Sequence, residues 1–229
     1  MPEPEAPPGT PLGGPPLPIV DGSRLARPYR DALWPGGMLR DAGGRGRRLP
    51  RFFYEIDSWQ TALDTPLSPH FMLWELIGVD VREAELLRTF PRYVPCAVTL
   101  MAAALEPFRA AVGTYVHIAA NGGYRSPAHR LSRVATPHCW ASAVNIYRIG
   151  DDWLDTPETI ERYNRIARET MSGVWARPYG AGRGFVDDQI HLDLGFVTLV
   201  PHGAASEDSA CGQANSKTGA ETAEPSEPP

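Results

Sequence analysis

Apolar residues recur at helical spacing in one long stretch of the chain. Val98, Met101, Leu105, Phe108 and Val112 fall three and four residues apart, which predicts an amphipathic helix over 97–112. The run Thr114 to Ala120 (TYVHIAA) is β-branched and aromatic and reads as a strand. Thr156-Pro157-Glu158 combines an N-cap hydroxyl, a proline at the first helical position and an early acid, so a second helix starts there. Its apolar stripe is Ile160, Tyr163, Ala167 and Met171, and Gly173 suits its end. Alternation in Val144-Asn145-Ile146-Tyr147 and in Ile190-His191-Leu192-Asp193-Leu194 predicts two short strands. Strands separated by helices in this order predict an α+β fold, with no internal repeat.

Composition confines these elements to the middle of the chain. Of 229 residues 42% are hydrophobic, enough for one domain with extensions or two small ones. Residues 1–18 hold eight prolines and three glycines, and 203–229 hold no Leu, Ile, Val or Phe. Neither segment has the means to bury apolar area, so a Pro-rich disordered tail is expected at 1–23 and another tail at 203–229. A folded domain is expected at 67–202, preceded by an Arg-rich extension at 24–66. Eight arginines lie between 24 and 51, including the run GGRGRR at 43–48, opposed by Asp31 and Asp41. This segment reads as a solvated Gly-rich loop, with anion binding as the alternative. Trp34, Phe52, Phe53, Tyr54 and Trp59 predict that parts of 29–60 pack on the body.

Net charge is −5, which argues against nucleic acid as the main partner. No stretch approaches the length of a membrane-spanning helix, so no membrane span is expected. The first twenty residues lack the basic and apolar regions of a secretory signal. The protein is therefore expected to be cytoplasmic as translated, with export by another route left open. Oligomeric state is not legible. Three cysteines at irregular spacing exclude a disulfide framework, and Cys96 and Cys139 read as buried, inert thiols.

Three segments carry polar groups in strand-like context: NGGYRSPAHR (121–130), ATPHCWASAVN (135–145) and DDQIHLD (187–193). His138 and His191 read either as hydrogen-bonded core histidines or as metal ligands brought from separate strands. His138 and Asn145 would stand about 23 Å apart on a straight strand, so both reach one ion only if the chain reverses at Ala141-Ser142. Asp193 lies two residues after His191 and shares its face, as a ligand or as the partner that orients the imidazole. Asp188 is placed to act as general base, and Arg125 to hold a carboxylate in its planar fork. GAGRG at 180–184 reads as a turn, since no strand-to-helix fingerprint surrounds it.

Ordered motifs over 67–197 resemble the zinc D-alanyl-D-alanine carboxypeptidases and dipeptidases, which share their fold with the hedgehog signalling domain. Ser68-Pro69-His70-Phe71 with Glu75 is similar to the opening motif of that family, and Gly123-Tyr124-Arg125-Ser126-Pro127 to its second. The segment from Thr136 to Asn145 is similar to the family's Ser-x-His-x-x-Gly-x-Ala-x-Asp, and His191-Leu192-Asp193 to its closing His-x-Asp. Three positions depart: Asn145 stands where the family has its Asp ligand, Ala141 where it has Gly, and Arg130 where it often has Asn.

The resemblance implies a small antiparallel sheet with helices packed on one side. It implies zinc held by His138, Asn145 and His191, with Asp193 behind His191. Asp188 would be the catalytic base, and Arg125, Tyr124 and Ser126 would meet the substrate. The implied activity is a zinc metallopeptidase of the D-Ala-D-Ala carboxypeptidase type, acting on peptidoglycan-like peptides. The alternative is a non-catalytic peptide- or cell-wall-binding protein that keeps the fold without the metal.

Overall fold

Residues 17–181 and 187–202 are described by the computed structural model. Of the tails expected at 1–23 and 203–229, residues 1–16 and 203–229 lie outside the described residues; Ile19–Asp21, expected in the tail, instead pairs as a strand with residues 52–54. Residues 182–184 of the expected GAGRG turn also lie outside the described residues. Within that segment Gly180 has a φ of 74°. The body closes at Leu199, and Val200 begins a separate unit.

The N-terminal part contains β1 (Ile19–Asp21), α1 (Arg27–Leu33), a hairpin of β2 (Met38–Arg40) and β3 (Gly46–Arg48), and β4 (Phe52–Glu55). Next come α2 (Trp59–Asp64), β5 (Pro66–Ser68), β6 (Phe71–Met72), α3 (Leu73–Ile77), α4 (Glu85–Arg88) and β7 (Tyr93–Pro95). The C-terminal part runs α5 (Val98–Val112), β8 (Val116–Ile118), β9 (Ala143–Ile149), β10 (Asp152–Trp153), α6 (Pro157–Thr170), β11 (Trp175–Ala176) and β12 (Ile190–Asp193). All strand pairings are antiparallel among the described residues, and the architecture is α+β.

Two sheets frame the body. One orders β1-β4-β7; in the other β9 pairs with β12, β8 and β10, and β11 edges β12. Val144, Ile146, Ile149, Ile190 and Leu192 project into one core with Val98, Met101, Leu105 and Phe108 of α5 and Ile160, Tyr163 and Ala167 of α6. The period-two pattern then leaves Asn145, His191 and Asp193 on the other face. Both helices match the spacing that predicted them. At α6 the Thr156 hydroxyl accepts from the Thr159 N–H at 3.2 Å, and Thr159 Oγ1 accepts from the Thr156 N–H at 3.4 Å. This closes a capping box with threonine in place of glutamate. Strand β8 is shorter than the run that predicted it, and beyond it Ala119 N still donates to the Asn145 carbonyl of β9 at 2.9 Å.

Residues 38–48 form a hairpin instead of the irregular loop expected from their glycines and arginines. The Asp41 carboxylate supplies the reason: it accepts from the Gly43 and Arg45 N–H groups at 2.9 Å each and pairs with Arg47 at 2.8 Å. Leu49 joins Ala135, Cys139 and Trp140 in a small second core, and Arg40 O accepts from Ala135 N at 2.8 Å. The Arg-rich segment thereby braces the loop that carries His138. Leu33, Phe53, Ile56 and Ala62 enter the main core itself.

The chain reverses after His138 at the expected place. Pro137–Trp140 form a 3₁₀ turn, and Ala141 caps it at φ 54°, ψ 32°. A left-handed alanine meets steric crowding that glycine avoids. Ala141→Gly is expected to stabilise the fold by about 1 kcal/mol, read as a higher urea midpoint at unchanged slope.

Candidate functional site

The site is assembled on the β9–β12 ladder. His191 lies directly opposite Asn145 in that register, and both side chains are buried. His191 Nδ1 stands 2.8 Å from Asn145 Oδ1, and its Nε2 stands 2.9 Å from Asp193 Oδ2. His138 arrives from the 3₁₀ turn with its ring centre 5.1 Å from that of His191. Its Nδ1 donates to the Gly123 carbonyl at 2.8 Å, which leaves Nε2 as the nitrogen with a lone pair. Burial, reinforced by the charge of Arg125 and the neighbouring His191, holds the His138 imidazole well below its usual range and so keeps it neutral.

The loop 121–126 is bolted to the end of α3 and the segment behind it. Asn121 N donates to Gly78 O at 2.6 Å and Tyr124 N to Leu76 O at 2.7 Å. Gly123 is the one residue that fits, since a Cβ there would fall 2.0 Å from the Leu76 carbonyl oxygen. Ser126 Oγ donates to the buried Glu83 carboxylate at 2.6 Å, which holds the end of the loop. From this platform Arg125 is anchored by its Nε donating to Asn121 O at 2.7 Å. Burial lowers the Arg125 guanidinium to about 10, so it remains charged at neutral pH.

A cavity of about 530 Å³ opens where these elements meet. It is lined by His138, Asn145, His191, Arg125 and Asp188, all expected from the sequence, and also by Asn121, Thr136, Trp175 and Arg177. Tyr124 and Ser126 do not line it. Their side chains are 2% and 0% exposed and serve the core and the Glu83 anchor. Asp193 stands behind His191 and also accepts from Gly195 N at 2.8 Å.

Several lining residues gave no signal in the sequence. Trp175 and Arg177 come from and follow β11, a strand too short to show a pattern, and Trp175 sets its ring 5.8 Å from His191. Arg177 N is fixed to the His191 carbonyl at 3.0 Å. Asn121 was visible only as part of a glycine-rich run, yet it adopts a left-handed φ of 61° and has a buried Oδ1 with no hydrogen-bond partner among the described residues.

The donor atoms can be tested against a metal ion. His191 Nδ1 stands at hydrogen-bond distance from Asn145 Oδ1 and Nε2 at hydrogen-bond distance from Asp193 Oδ2, so the position of the ring proton decides which nitrogen donates and which offers a lone pair. His138 Nε2 is the third donor atom, and each histidine is oriented by a bond from its far nitrogen, as ligating histidines are. By type, two imidazole nitrogens and an amide oxygen are donors that divalent transition ions accept. Such a set supplies less charge than one with a carboxylate, because the Asn145 amide is neutral. Among the described residues no group of three His, Cys, Asp or Glu side chains is placed to hold a metal.

Cys139 is buried next to His138 and Cys96 is buried at the start of α5. Burial pushes their thiols up to about 11 and about 12, so neither is a ready thiolate. In a Cys211→Ser background the native protein is expected to take up no iodoacetamide at mildly alkaline pH. Both thiols react once urea unfolds the chain, and mass spectrometry counts the adducts.

Comparison with protein-family models, with curated proteins and with solved structures gives no match for this chain.

Proposed function

We propose that the protein is a zinc-dependent peptidase of the D-Ala-D-Ala carboxypeptidase type, on a hedgehog-like D,D-peptidase fold, acting on peptides with a free carboxyl end. The observation that carries this reading is the convergence of His138, Asn145 and His191 in one cavity with Arg125 and Asp188. Zinc held by His138 Nε2, Asn145 Oδ1 and His191 Nδ1 would supply Lewis acidity toward the scissile carbonyl and toward water. Arg125, a buried and charged planar fork, pairs with the substrate carboxylate. Asp188, at the bend before β12, takes the proton of the attacking water and returns it to the leaving amine. Asp193 fixes the ring of His191. Arg177 adds positive charge on the same wall, and Trp175 supplies an apolar flank.

A second reading is favoured by Asn145 itself. With a neutral amide in place of a carboxylate, the cavity would bind a peptide carboxylate through Arg125 without a metal, as a peptide- or cell-wall-binding module. Zinc per chain after dialysis separates the two, measured for native protein and for Asn145→Asp. The peptidase reading expects zinc in native protein, at least about tenfold tighter in Asn145→Asp, and release of D-Ala from a D-Ala-D-Ala peptide. Native protein that is empty while Asn145→Asp fills supports the binding module. A chain empty in both forms overturns the zinc assignment. Under either reading Arg125→Ala weakens binding of a carboxylate-terminated peptide by about 2 kcal/mol, checked by calorimetric titration.

A further inference from the structure

A second surface lies at the β8–β9–β10 end of the same sheet. Strand β9 carries one more residue than β8 between Ile146 and Ile149, a bulge in the register. Ile146 and Ile149 both enter the core, so Tyr147 and Arg148 together face the side that also bears Asn145. His117 on β8 and Trp153 on β10 lie directly opposite Arg148 and share its face.

The result is a continuous aromatic row. Ring centres are 6.4 Å apart for Tyr115 and His117, 6.0 Å for His117 and Tyr147, and 5.6 Å for Tyr147 and Trp153. Tyr115 is 66% exposed and Trp153 is 55% exposed, so neither end of the row is used by the core. Beside it opens a pocket of about 650 Å³ lined by Tyr115, His117, Arg148, Asp151, Asp152 and Arg162. Arg148 has no acceptor, so its Nη2 donates to His117 Nε2 at 3.1 Å and leaves His117 Nδ1–H as a donor. Arg148 Nε is buried with no hydrogen-bond partner among the described residues. Asp152 Oδ2 accepts from Arg162 at 2.9 Å and from Tyr163 at 2.6 Å.

We propose that this row binds a neutral oligosaccharide of hexopyranose units. Two arginines and two aspartates balance in the pocket, so a phosphate backbone or an anionic lipid surface would meet the carboxylates. An apolar helix would cover the charged rim of Arg148, Asp151, Asp152 and Arg162 with no polar group to meet it. A pyranose ring satisfies both demands: its C–H face lies on the negative face of an aromatic ring, and its hydroxyls donate and accept at the pocket edge. The assignment does not rest on zinc or on peptidase activity.

Calorimetric titration of the full chain with the tetramer of β-1,4-linked N-acetylglucosamine tests it, with a ten-nucleotide oligothymidylate run beside it. Saturable binding is expected, weakened about tenfold by Trp153→Ala and by Tyr115→Ala. Both side chains are exposed, so the variants fold, and circular dichroism verifies it. Absence of saturable binding to the tetramer, an affinity indifferent to both substitutions, or binding of the oligonucleotide alone would overturn the proposal.

Discussion

The β9–β12 ladder sets His191 opposite Asn145, and the rest of the cavity is assembled around that pair. Side chains on a strand alternate with period two, so this register puts Ile146, Val144, Ile190 and Leu192 into the core and the polar partners on the other face. A slip by one residue would turn the imidazole into the apolar layer and expose two leucine-class side chains. The hydrophobic core therefore enforces the geometry of the site. Asp193 follows from the same constraint, since it must share the face of His191.

Around this ladder the body supplies rigidity from several directions. Gly123 allows loop 121–126 to lie against the backbone of α3, where no side chain fits. Trp140 donates from Nε1 to the Arg48 carbonyl at 3.1 Å, and its ring meets Phe196. Ser142 Oγ donates to the Gly195 carbonyl at 2.6 Å, joining the start of β9 to the end of β12. These contacts hold His138 and Arg125 on loops while giving them the order of strand residues. The left-handed Ala141 is the strained point of that arrangement. It persists because the turn it closes is fixed on both sides.

The sheet offers two chemistries on one face. Near β12 the cavity combines two histidines, an amide and arginine, with His191 bonded to Asn145. Near β10 the bulge in β9 turns consecutive residues outward and builds an aromatic row with balanced charge. One extra residue in one strand thus separates a region shaped for a compact polar group from one shaped for flat rings.

By itself the sequence determined the helices α5 and α6 and the strands β9 and β12. Each of these rests on local chemistry: helical or alternating periodicity, a capping hydroxyl, a proline at a helix start. The grouping of His138, His191, Arg125 and Asp188 was expected through the family that their ordered motifs resemble. Tertiary structure alone decided the hairpin at 38–48, the burial of Tyr124 and Ser126, and the entry of Trp175, Arg177 and Asn121 into the cavity. It also placed Tyr115, Tyr147 and Trp153 in one row. These outcomes depend on strand register and on backbone contacts between segments far apart in sequence. Such contacts leave no periodic trace in the segments that make them.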